Sequence, residues 1–180
     1  RKGQLRVLDA MAALRRQWPA ILFEYVIVGD GPEFEAIARR IVELDLEGRV
    51  TVVRDANDEQ LAEHYASAEI FLMPVVAGTV DREGFGMVYL EAALHGVPSI
   101  ATDMAGVDEA VLDGETGILV RDGDIAALAD AMYRLGTDVD ERRRLGEAAH
   151  ARTIDEFSTE RQFAKLIPYV TTTTPDPSSL

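Results

Sequence analysis

The sequence predicts an α/β fold, a Rossmann-like doubly wound parallel sheet followed by a helical C-terminal segment. Three observations predict it. Short β-branched runs alternate with amphipathic stretches at least five times, the runs are apolar at successive positions as strands covered on both faces are, and beyond Asp124 only helical periodicity remains.

Each element follows from local chemistry. From Gln4 to Trp18 the apolar residues Leu5, Leu8, Met11, Ala12 and Leu14 recur at helical spacing, and Pro19 closes the run. Glu24 to Val28 is a short strand ending on Gly29-Asp30-Gly31-Pro32, and Pro32 opens a helix carried by Phe34, Ile37, Ala38, Ile41 and Val42. Val50 to Val53 is the next strand, and Asn57 with Gln60 forms a capping box for a helix through Leu61 and Tyr65. Ile70 to Met73 is a strand stopped by Pro74. A polar, Gly-containing loop leads to a helix over Met87 to Leu94, a strand over Pro98 to Ala101, a short helix near Val107 to Leu112 and a strand over Gly117 to Val120. Helices then cover Ile125 to Leu135, Val139 to Phe157 with a break near Gly146, and Thr159 to Val170. Residues 1–170 read as one domain. The stretch from Thr171 to Leu180 is apolar only at its last residue and reads as a disordered tail.

Composition narrows the function classes. Eighteen basic residues against 32 acidic ones give a net charge of −14, and the densest basic cluster is Arg142-Arg143-Arg144, so nucleic acid is not an expected partner. Without cysteine there is no disulfide framework, thiolate nucleophile or Cys-ligated zinc. No metal is expected either: His64, His95 and His150 are scattered, and Asp122 and Asp124, which flank Gly123, stand where capping of the next helix is the simpler role. No Gly-x-Ser-x-Gly elbow is present for hydrolase chemistry. Apolar runs such as Ala68 to Val76 are far shorter than a bilayer span.

Ligands of a doubly wound sheet sit at the carboxyl ends of its strands. After Val28, Gly29-Asp30-Gly31 lacks the third glycine of a dinucleotide fingerprint, since Phe34 stands there, and the sequence has no GxxxxGK phosphate loop. The informative turn follows Met73. There Gly84 and Gly86 flank Phe85 just before a helix, so backbone can approach a ligand closely and free N–H groups can face an anion such as a pyrophosphate. Glu83 stands outside that helix and Glu91 about one turn inside it. Carboxylates do not favour a pyrophosphate but accept hydrogen bonds from hydroxyls, so one acid on a sugar and the other on a ribose is a coherent division. Glu-x7-Glu spacing alone is weak, because Glu35 and Glu43 repeat it. The competing reading of Glu91 is an exposed helix position paired with His95 one turn on.

Together, Glu83-Gly84-Phe85-Gly86-Met87-Val88-Tyr89-Leu90-Glu91 and the continuation His95 to Asp103 resemble the retaining glycosyltransferases of the GT-B fold, family 4 (glycosyl transferases group 1). VIVGDGP (Val26 to Pro32), ASAEIFLMP (Ala66 to Pro74) and DGETGILV (Asp113 to Val120) fall in the family's order, and the resemblance runs from Arg1 to about Ile167. It implies a donor-binding domain for a nucleoside-diphosphate sugar, with no separate cofactor. Lys2 would neutralise the pyrophosphate, and backbone from Gly84 through Phe85, Gly86, Met87 and Val88 would hold phosphate and sugar. Glu83 would be the catalytic-site acid on the sugar hydroxyls and Glu91 the ribose acid. Gly29, Arg54, Asp55 and Ala56 would surround the base. The family's first strand and N-terminal acceptor domain are missing from this sequence, so the segment is expected to bind donor but not to turn over alone. The loop ending Asp81-Arg82-Glu83 most resembles members acting on lipid acceptors. This implies an acceptor sugar or lipid-linked acceptor bound by the missing domain, and a cytoplasmic protein associating peripherally with the inner membrane face. The alternatives are a nucleotide-sugar epimerase of the same architecture and a non-catalytic nucleotide-binding module.

Overall fold

Gln4–Gln17 forms α1, one apolar stripe of which buries Val7, Leu8, Met11 and Leu14. This computed structural model describes residues 2–76 and 86–157. Tyr25–Val28 (β1) and Val50–Val53 (β2) pair in parallel, Tyr25 opposite Val50 and Val28 opposite Val53, joined through α2 (Phe34–Glu43). Asp58–Ser67 (α3) leads to Phe71–Met73 (β3), which pairs in parallel with Ser99–Thr102 (β4), and β4 pairs in turn with Gly117–Val120 (β5). Met87–Leu94 (α4) and Val107–Ala110 (α5) make the crossovers of this second sheet. Ile125–Thr137 (α6) and Val139–Phe157 (α7) complete the described chain. The expected helix over Thr159 to Val170 and the expected tail lie outside the described residues.

The alternation, the parallel pairing and nearly every element match the sequence reading. Among the described residues the sheet is divided into β1-β2 and β3-β4-β5 rather than continuous. Helices hold the halves together: Ile27, Ile37 and Ile41 from the first share one core with Ile100, Ile118 and Val120 from the second, through residues of α1 and α6. α1 packs chiefly on α6, where Trp18 stacks on Tyr133 with ring centroids 4.1 Å apart. The division also alters burial. All four residues of β4 are buried, as a strand covered on both faces should be, whereas Val26 of β1 is 44% exposed.

Smaller differences have local causes. β4 begins at Ser99 rather than Pro98, because proline has no N–H for the ladder. Pro98 contributes its carbonyl instead, accepting from the Phe71 N–H at 3.0 Å. α5 stops at Ala110, since Val111 turns extended (φ −123°, ψ 116°). α7 does not break at Gly146. A Cβ there would stand 2.0 Å from the Gly96 carbonyl oxygen, so this glycine brings the helix onto the turn between α4 and β4.

Candidate functional site

The start of α1, the segment leaving β3, the loop after β5 and the start of α4 meet at the carboxyl end of β3, and the turns after β1 and β2 meet at the carboxyl ends of their own pair. Gly3, the N-cap of α1, has φ 83°, and a Cβ on it would lie 2.0 Å from the Pro74 carbonyl oxygen. Only glycine satisfies both the left-handed backbone and that approach. The contact sets residue 3 against the segment leaving β3, so Lys2, half-buried, stands at the mouth of the loop that leads to Glu83.

Three side chains pin the stem of that loop. The Tyr89 hydroxyl donates to the Met73 carbonyl (2.8 Å), Thr102 Oγ1 donates to the Val75 carbonyl (2.8 Å), and Arg6 Nη1 donates to the same carbonyl (3.1 Å). Tyr89 and Thr102 are 1% exposed, and buried bonds to backbone of this kind are costly to lose. Arg6 also pairs with Asp122, tying the loop after β5 to the same point. Sequence reading missed Arg6 and Thr102. The available signal was a cation in the first turn of a helix, where the dipole disfavours it, which marks a partner supplied by another part of the fold.

Glu83, Gly84 and Phe85 lie outside the described residues. The chain resumes at Gly86, buried and left-handed (φ 69°, ψ 57°), which starts α4 with no side-chain cap and no acid in the first turn. Met87 is 62% exposed and Val88 half-buried. Backbone N–H groups and uncharged side chains therefore make up this helix start, the chemistry that an anion requires.

Glu91 is half-buried, and its carboxylate accepts from the Tyr65 hydroxyl at Oε2 (2.9 Å). His95 does not pair with that carboxylate; its Nδ1 lies 3.0 Å from the Glu91 backbone carbonyl, and its ring stacks on Tyr65. The reading of Glu91 as an exposed partner of His95 is thus corrected: α3 reaches across and takes the acid first.

The residues expected around the base come together through the β1–β2 ladder. Gly29 (φ 121°) begins the turn after β1, and its N–H donates to the Val53 carbonyl at 2.8 Å. Asp30, next to it, receives Arg54 through Nε (3.1 Å) and Nη2 (2.8 and 2.9 Å), and the guanidinium lies 4.4 Å above the Phe34 ring centre. The hydrogen bonds from Arg54, then that from the Gly31 N–H, hold the Asp30 carboxyl below the usual carboxylate range. Asp55 is exposed and Ala56 half-buried, and they run into Asn57, whose side chain accepts from the Gln60 N–H (2.8 Å) as the capping box requires.

Among the described residues no three His, Asp or Glu side chains cluster so as to hold a metal ion. Asp124 caps α6 by accepting from the Ala127 N–H (2.9 Å), as expected, while Asp122 serves Arg6 instead.

Residues 1–138 match the family described as Glycosyl transferases group 1. The chain belongs to this family. A group 1 relative, the GDP-mannose-dependent alpha-(1-6)-phosphatidylinositol monomannoside mannosyltransferase of Mycolicibacterium smegmatis, is 35% identical over 168 residues, 92% of this chain and 44% of that protein. The solved sucrose-phosphate synthase of Thermosynechococcus elongatus superposes with a TM-score of 0.81 at 31% identity, over 97% of this chain and 43% of its own. HepE of Anabaena, solved with UDP-glucose, gives 0.79 at 24% identity over 95% and 45%, a likeness of fold. The fold is the GT-B type found in group 1 glycosyltransferases, and the chain spans less than half the length of each of these relatives.

Proposed function

We propose that this chain is the nucleotide-sugar-binding half of a retaining glycosyltransferase that moves a sugar from a nucleoside diphosphate to an acceptor hydroxyl. The observation that carries the reading is the convergence, at one edge, of Lys2, the pinned stem of the β3 loop and the uncapped start of α4, with Glu91 one turn further along. Sugar transfer leaves charge on the departing diphosphate, and oriented N–H groups at α4 together with one lysine counter it locally, without a metal. The net charge of −14 does not oppose this, because such a pocket acts at short range. Glu83 takes the sugar hydroxyls, Glu91 the ribose, and the Gly29, Arg54, Asp55 and Ala56 turns the base. The HepE structure with UDP-glucose supports a nucleotide-sugar donor in this fold. The transferase names of the relatives support transfer over epimerisation or binding alone.

An acceptor domain in a longer chain completes the cleft, and a strand ahead of Lys2 joins the two sheets; the division of the sheet supports this reading. A relative that acts on a phosphatidylinositol mannoside supports a lipid-linked acceptor, reached from the cytoplasmic membrane face. No described helix is long and apolar enough to cross a membrane. The test is to incubate the longer protein with labelled UDP, GDP and ADP sugars and candidate acceptors. Glycosylated acceptor of unchanged anomeric configuration is expected. Altered free donor, or no reaction, overturns the reading, and unchanged transfer by Glu83→Ala removes Glu83 from its role.

A further inference from the structure

α3 has no fully buried residue, yet it presents Tyr65 inward, where the ring is held from two sides. Phe71 at the start of β3 lies 5.8 Å away, centre to centre, and His95 at the end of α4 lies 5.6 Å away, nearly parallel. A ring fixed in this way has one hydroxyl position, and that position is 2.9 Å from Glu91 Oε2. Burial, and then the bond to the Glu91 carboxylate, push the Tyr65 hydroxyl far up from its ordinary range, so it remains a donor. A glutamate has three rotatable bonds, and an unassisted carboxylate on a helix would have to be ordered by its ligand at an entropic cost. A charge-assisted bond from a fixed phenol selects one arrangement beforehand, and a carboxylate has lone pairs left after accepting it.

We propose that Tyr65 is a positioning residue for the donor's ribose: it holds the Glu91 carboxylate in the arrangement that accepts the ribose hydroxyls. This rests on the reading of Glu91 as the ribose acid. It also gives α3 a task, since its first turn follows the Arg54 to Ala56 base loop and its Tyr65 reaches the ribose acid, so one helix links the two parts of the nucleoside site.

The experiment uses this chain, titrated calorimetrically with UDP, GDP and ADP. The tightest of these is then compared with its 2′,3′-dideoxy analogue. The unaltered chain should prefer the ribonucleotide, and Glu91→Gln should abolish the preference. Tyr65→Phe, which keeps the ring and its stacking, should weaken the ribonucleotide by roughly threefold to tenfold while leaving the dideoxy analogue unchanged. The Tyr65→Phe/Glu91→Gln double variant should bind no more weakly than Glu91→Gln alone. Equal loss of both nucleotides in Tyr65→Phe, or full retention of the preference, overturns the proposal while leaving Glu91 in place. An undiminished preference in Glu91→Gln, or no nucleotide binding by the unaltered chain, shows instead that the ribose reading fails, and the proposal falls with it. Should Tyr65→Phe not fold, Glu91→Asp, which draws the carboxylate back from Tyr65, is expected to lose the same preference; keeping it would count against the proposal.

Discussion

Replacing Gly146 by alanine should destabilise the protein, although the same change in an exposed helix interior stabilises by about 1 kcal/mol through propensity. The opposite sign comes from the packing of α7 on the α4–β4 turn. An added Cβ would stand 2.0 Å from the Gly96 carbonyl oxygen and 3.3 Å from Pro98 Cδ. Carbon and oxygen come no nearer than roughly 3.3 Å without strain, so backbone must retreat by more than 1 Å. Overpacking of a core costs about 1–3 kcal/mol, and rigid backbone as the obstacle places this case at the upper end. Subtracting the propensity gain leaves a net loss of about 2 kcal/mol, or about 4–8 °C in Tm for a chain of this size. Urea unfolding followed by circular dichroism reads it directly, with a lower midpoint and an unchanged slope expected. A Gly146→Ala protein as stable as the original, or more so, would refute the packing argument.

Other outcomes follow from single contacts. Asn57→Ala removes the side chain that accepts from the Gln60 N–H at the start of α3 and should cost about 1 kcal/mol in urea unfolding. Tyr89→Phe removes one of the two donors to the Met73 carbonyl, which keeps the Val75 N–H at 2.9 Å, and should cost about 0.5–1.5 kcal/mol by the same measurement. Arg54→Ala should let the Asp30 carboxyl titrate back up toward its ordinary value, which carboxyl NMR would follow. Because Asp30 is held low in the folded protein, the stabilisation from this pair is present above the ordinary carboxylate range and lost as pH falls through the lowered value. The variant should therefore be slightly less stable than the original at neutral pH and equal to it in strong acid, a small difference because the pair is exposed.

The elements were legible where their chemistry is local. Asn57 and Gln60 announce the start of α3 three residues apart, and β-branched pairs such as Ile27-Val28 and Val52-Val53 sit beside glycine or polar turns. The family was legible because its motif sets a Gly-Phe-Gly sequence between a strand and a helix in one stretch. What was not legible depends on distance along the chain. The division into two sheets is a fact of pairing, and no residue within an edge strand encodes which neighbour it lacks. Arg6 meets Val75 69 positions away and Asp122 116 positions away, and helical periodicity says nothing about either. Glu91 was assigned a role from its motif, but His95 at one turn was the neighbour that spacing suggested. The neighbour that took its carboxylate, Tyr65, comes from a different helix.

The central claim, that this edge holds a nucleoside diphosphate, is tested most directly by saturation binding of the chain against UDP, GDP and ADP sugars. The account predicts saturable one-to-one binding of at least one of them, weakened when Lys2 is replaced by alanine. Absence of saturable binding to all three, by a chain shown to be folded, would contradict it.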